Sequence, residues 1–156
     1  MLTAGSQDFS DRRGQAVQKL FSTSEQQTEA IAERLAQTLK GTEVIALFGG
    51  MGVGKTAFAR GLARGLGVTD GVSSPTFALV HEYEGKYRLY HFDMYRISSY
   101  DDLYSTGFFD YQDTGILLIE WSENIEPYLP EDRITITLRR MSDNEREITI
   151  EGAVIP

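Results

Sequence analysis

The segment Gly49-Gly50-Met51-Gly52-Val53-Gly54-Lys55-Thr56 constrains this chain more than any other eight residues in it. It satisfies every position of G-x-x-x-x-G-K-[ST], a loop whose backbone N–H groups turn inward to make a concave anion site. Glycine permits that turn because it has no Cβ to clash. At ordinary residue frequencies, four fixed positions match by chance in roughly one chain of this length in a few hundred. The flanking residues make chance less plausible still. Val44–Phe48 (VIALF) is a continuous apolar run of the kind found in buried parallel strands, and residues 56–66 read as a helix closed by Gly67. Strand, glycine turn and helix N-terminus, in that order, form a phosphate-binding loop. Residues Gly50, Met51, Gly52, Val53 and Gly54 would wrap the phosphates of a nucleotide. Lys55 would reach the β- and γ-phosphates, and the Thr56 hydroxyl would bind Mg²⁺.

The rest of the chain reads as an α/β protein. Ser24-Glu25-Gln26-Gln27 has the form of a capping box, and Ile31, Leu35 and Leu39 follow at helical spacing, which predicts a helix over 25–39 ended by Gly41. Residues 77–82 and 88–92 predict two strands about a turn at Glu84-Gly85, and a helix starts at 101–104 and ends near Gly107. Residues 115–119 are a second continuous apolar run, closed by Glu120-Trp121. Residues 133–138 and 147–150 alternate as a hairpin around Ser142-Asp143-Asn144. Residues 1–19 carry few apolar side chains and no clear period, so they are expected to form a flexible or loosely docked extension to a single domain over 20–156. The expected fold is a P-loop NTPase-like, mostly parallel sheet with flanking helices and a C-terminal antiparallel hairpin.

Composition narrows the classes of function. With 156 residues, 41% of them hydrophobic, the chain can bury the core of one domain. There is no cysteine, which excludes disulfides and thiolate metal sites. No run approaches the ~18 apolar residues of a membrane span, and residues 1–10 lack the apolar stretch of a secretory signal. A cytoplasmic location fits these features. The net charge of −8 argues against this chain being a principal nucleic-acid binder, because phosphate neutralisation supplies most of such affinity.

A P-loop enzyme also needs a carboxylate at the end of a neighbouring strand, to hold Mg²⁺ or orient water. Glu120, which ends the apolar run 116–119, has that form. Asp93, after Leu89-Tyr90-His91-Phe92, is its rival, since it too sits at a strand end. Read from the residues alone, Asp93 serves a salt bridge or cap as well as it serves catalysis. His81 and His91 have no partner at metal-ligand spacing and are expected to pack or hydrogen-bond.

Gly52-Val53-Gly54-Lys55-Thr56, Ser74-Pro75-Thr76-Phe77, His91-Phe92-Asp93-Met94-Tyr95-Arg96 and Ile119-Glu120-Trp121, in this order and spacing, resemble the bacterial TsaE (YjeE) family. The resemblance extends over residues 22–150. It implies an ATPase that serves formation of N6-threonylcarbamoyladenosine on tRNAs reading codons that begin with A. It implies action on a complex of TsaD and TsaB, with tRNA met only through that complex. By the same resemblance, Ser74 and Thr76 belong to a switch-like loop that senses the γ-phosphate, and Asp93 is an essential acid. Glu120 is a magnesium-associated carboxylate, Trp121 a neighbouring aromatic of the site and Arg146 a nucleotide contact, while Ser24 lies on the segment that approaches the adenine. The chain departs from the family pattern at Gly50, where an aspartate is usual, and at Val53, where a small residue is.

Two other nucleotide-using classes fit less well. A small-molecule kinase usually carries an arginine-bearing lid, whereas the arginines here (Arg88, Arg96, Arg133, Arg139, Arg140 and Arg146) are scattered without a lid insertion. A GTPase carries an N/T-K-x-D segment that reads guanine, and the chain has none.

Overall fold

Parallel strand pairing occupies the middle of the sheet, where the continuous apolar runs lie. The computed structural model describes residues 7–10, 14–69, 71–72 and 79–156. In it, β3 (Val44–Phe48) pairs in parallel with β6 (Ile116–Glu120) on one side and with β7 (Ile134–Arg140) on the other. A third parallel pair joins β6 to β5 (Arg88–Asp93). The outer strands are antiparallel: β4 (Val80–Glu84) on β5, and β8 (Arg146–Glu151) on β7. Beyond β8 come β2 (Ala16–Ser22) and then β1 (Gln7–Ser10), which gives the order β1-β2-β8-β7-β3-β6-β5-β4. The sheet is therefore mixed, with its parallel character confined to the centre. Parallel neighbours require long crossovers, whereas β1–β2, β4–β5 and β7–β8 return through short connections that force antiparallel pairing. The β4–β5 turn lies at residues 85–87, because β4 extends through Glu84.

Each central strand buries both faces, which is why these segments read as unbroken apolar runs. Ile45, Leu47, Ile116 and Leu118 face a core closed by α1 (Glu25–Ala36) and α2 (Lys55–Gly65). Val44, Ala46, Leu117 and Ile119 face a second core with Leu103 of α3 (Tyr100–Ser105) and Phe108 of α4 (Phe108–Tyr111). Helix α1 starts as its sequence dictates. The Ser24 hydroxyl accepts from the Gln27 N–H at 3.1 Å, and the Gln27 side chain accepts from the Thr23 N–H at 2.8 Å. Such a cap is worth about 1 kcal/mol. The two helices cross closely at Gly61, where a Cβ would lie 2.2 Å from the Glu29 carbonyl oxygen, so only glycine fits there.

The N-terminal extension is the main departure from expectation. Residues 16–22 form β2, paired along its whole length with β8, so the domain starts well before residue 20. Val17 and Leu20 are buried, and so is Gln18, whose amide exchanges hydrogen bonds with the Ile155 backbone at 3.0 and 2.9 Å. A buried glutamine at a core position breaks the alternation that would have revealed the strand.

Candidate nucleotide site

The loop between β3 and α2 takes its shape from left-handed backbone angles at Gly49 (φ +146°), Gly52 (+72°) and Gly54 (+104°). At Gly49 a side chain is excluded twice over, since a Cβ would lie 2.8 Å from both the Leu138 carbonyl oxygen and a Val53 methyl. At Gly50 there is open space, so a side chain there would meet no obstacle. Gly54 caps α2 without a side chain, leaving the first N–H groups of the helix directed at whatever fills the loop.

That loop is the floor of a cavity of about 600 Å³, within the range of small-molecule sites. Met51, Gly52, Val53, Gly54, Lys55 and Thr56 line it, and Glu120 and Trp121 close it on the β6 side. Ser24, Glu25 and Thr28 of the α1 entry, together with Asp143, Asn144 and Arg146 of the β7–β8 hairpin, close it on the other. Lys55 is only 8% exposed. Its ammonium donates to the Gly49 carbonyl at 2.9 Å and sits 4.6 Å from the centre of the Trp121 ring. Trp121 itself holds φ +58°, a left-handed conformation that is unusual for a bulky residue. The kink turns the chain out of β6, and the Trp121 ring also meets Tyr95 edge-on at 4.9 Å. The Asn124 side-chain amide donates to the Met94 and Tyr95 carbonyls at 2.9 and 3.2 Å, which ties the loop after β6 to the loop after β5.

The expected site residues divide under this geometry. Ser24, Lys55, Thr56, Glu120, Trp121 and Arg146 converge on the cavity with the loop residues. Arg146 bonds chiefly to backbone, its guanidinium donating to the carbonyls of Val53 at 3.0 Å and Ser142 at 2.9 Å, so it clamps the hairpin onto the phosphate loop. Asp93 pairs in register with Glu120 across the β5–β6 ladder but does not line the cavity, and its carboxylate accepts from the Tyr95 N–H at 2.9 Å. Ser74, Pro75, Thr76 and Phe77 lie outside the described residues.

Glu120 is 5% exposed, and its carboxylate accepts from His91 Nε2 at 2.7 Å. His91 has no exposure at all, and its Nδ1 has no hydrogen-bond partner among the described residues. An unpaired buried polar atom costs about 1–3 kcal/mol, which makes this pair an expensive feature to retain. His91 is buried and hydrogen-bonded, as expected, while Arg60, Asp143 and Asn144 line the cavity without having been singled out as site residues in the sequence.

The Thr56 hydroxyl and the Glu120 carboxylate are hard oxygens on one cavity wall, a donor set that suits Mg²⁺. No cluster of three or more His, Cys, Asp or Glu fit to hold a metal occurs among the described residues.

Strand, glycine loop, helix N-terminus, lysine and strand-end carboxylate around one cavity define a P-loop α/β protein. The family model "Threonylcarbamoyl adenosine biosynthesis protein TsaE" matches residues 22–148, and the chain belongs to the TsaE family. The protein named tRNA threonylcarbamoyladenosine biosynthesis protein TsaE from Treponema pallidum is 40% identical over 133 residues, covering 85% of this chain and 98% of its own length. Its namesake from Bacillus subtilis is 43% identical over 126 residues, 80% of this chain and 78% of that one. The crystal structure of Bacillus subtilis YdiB superposes with a TM-score of 0.72 at 34% identity, covering 99% of this chain and 90% of that one. No helix among the described residues is long and apolar enough to cross a membrane.

Proposed function

We propose that this chain binds Mg-ATP and hydrolyses it slowly, as the nucleotide-driven component of threonylcarbamoyladenosine formation on tRNAs reading codons that begin with A. The observation that carries this reading is the meeting of the phosphate loop, Lys55, Thr56 and Glu120 in a single cavity. Loop N–H groups and Lys55 hold the phosphates, and the hairpin and α1 entry bound the side where the nucleoside lies. Thr56 and Glu120 hold Mg²⁺, which supplies positive charge to the phosphoryl oxygens. The glycine loop fixes these donors before the substrate arrives, so little reorganisation remains for the transition state.

The partner in this reading is the TsaD–TsaB complex, and tRNA is met through it. The net charge of −8 repels an RNA backbone, and slow resting hydrolysis suits a device that resets an assembly. ATP turnover is therefore expected to be low for the chain alone, unchanged by tRNA alone, and raised by the TsaD–TsaB complex. Strong stimulation by tRNA alone would overturn the charge argument, and no response to the complex would overturn the partner assignment.

Trp121 is the only tryptophan, and its ring carries the Lys55 ammonium at 4.6 Å. A lysine drawn onto phosphates leaves that ring, so Mg-ATP is expected to change the protein's tryptophan emission. Binding seen by calorimetry without any spectral change would refute the movement.

A further inference from the structure

We propose that His91 is a positioning residue: with a proton on Nε2, it fixes the Glu120 carboxylate in its working orientation. The inference rests on the reading of Glu120 as the magnesium-associated acid of an ATPase.

His91 is fully buried and does not line the cavity, so it cannot touch the nucleotide and can act only through another group. That group is Glu120, at 2.7 Å, the short distance of a charge-assisted hydrogen bond. The donor in the pair is set by elimination. A carboxylate only accepts, so the proton between the two belongs to Nε2. Nδ1 has no partner among the described residues, so a proton placed there would be a buried N–H with nothing to donate to, a rare arrangement in protein interiors. The imidazole is therefore the Nε2–H tautomer with a bare Nδ1 lone pair.

The backbone makes this bond directional. Parallel pairing sets His91 opposite Leu118 and Asp93 opposite Glu120, so His91 and Glu120 share a face two steps apart on adjacent strands. The imidazole is held by a central strand within the core, whereas a glutamate side chain has three torsions to settle. One donor from a rigid neighbour selects among those rotamers before substrate arrives. Residues that orient a metal-associated ligand in this way are typically worth about 10–100-fold in activity or metal affinity.

Two measurements test the proposal. His81 and His91 are the only histidines, so His81→Asn assigns their imidazole nitrogen resonances. Nitrogen NMR of the nucleotide-free protein is expected to show His91 as the Nε2–H tautomer, with a resonance that shifts in Glu120→Gln. An Nδ1–H tautomer, or a His91 signal blind to Glu120→Gln, overturns the inference. In the second measurement, His91→Gln places an amide donor near the Nε2 position, and His91→Asn places one near Nδ1. Turnover is expected to fall about 10-fold or more in His91→Asn and to stay within about 3-fold of the parent in His91→Gln, with Mg-ATP affinity little changed in both. Equal turnover in the two folded variants overturns it. If Glu120→Gln instead hydrolyses ATP at the parent rate while the tautomer is as expected, the ATPase reading of Glu120 has failed and the His91–Glu120 pairing has not.

Discussion

Lys55→Ala is expected to lower ATP affinity by on the order of 100-fold while the protein stays folded. Hydrogen bonds to charged groups contribute about 1.5–3 kcal/mol each, and Lys55, the cation at the start of α2 that lines the cavity, is the group proposed to address the phosphates. It is already inside the site, 8% exposed and held between the Gly49 carbonyl and the Trp121 ring, so binding needs a short reach and little ordering. Helix and core survive the change, because the loop shape depends on Gly49, Gly52 and Gly54 and not on the lysine. What remains in the variant is weak capture by loop N–H groups. Calorimetry on the folded variant gives the answer, and an unchanged Kd would remove Lys55 from the phosphate site.

Glu120→Gln is expected to keep ATP binding within a few-fold and to lower turnover by about 100-fold or more, the scale of a lost acid–base or charge-stabilising group. The amide retains the shape of the side chain, and its oxygen still accepts from His91 Nε2. What disappears is the negative charge proposed to support Mg²⁺ or the attacking water. Lysine and loop contacts to the phosphates are untouched, so Kd and kcat should separate. Single-turnover hydrolysis beside calorimetry measures both. Turnover at the parent rate would make Glu120 structural and leave Asp93, its register partner on β5, as the next acid to replace.

Much of the site was legible because its physics is local. The glycine loop is contiguous, and its strand and helix are its immediate neighbours in sequence. The α1 cap is written in Ser24 and Gln27, two residues whose side chains satisfy the backbone N–H groups of Gln27 and Thr23. Glu120 was visible as an acid closing an apolar run, and the β7–β8 hairpin as two alternating segments about a polar turn.

Other features depended on partners far along the chain. β2 was hidden because Gln18 occupies a core position, which is tolerable only when the Ile155 backbone, 137 residues away, satisfies its amide. Gly61 read as an ordinary helix residue until α1 approached to within a Cβ of it. Arg146 was expected at the nucleotide, and it does line the cavity, but its bonds to Val53 and the hairpin carbonyls arise only once β8 lies beside the loop. The relative standing of Asp93 and Glu120 could not be read either. Both end strands and face each other in register on the β5–β6 ladder, and only the folded site shows one carboxylate lining the cavity and the other capping Tyr95.

By itself the sequence determined a phosphate-binding loop on a parallel strand, a family, and a short set of candidate acids, because glycine sterics, capping and apolar runs act within a few residues. The tertiary structure alone decided which acid lines the cavity, which histidine bonds to it and that residues 16–22 join the sheet, because strand register and burial are set by contacts between residues tens of positions apart.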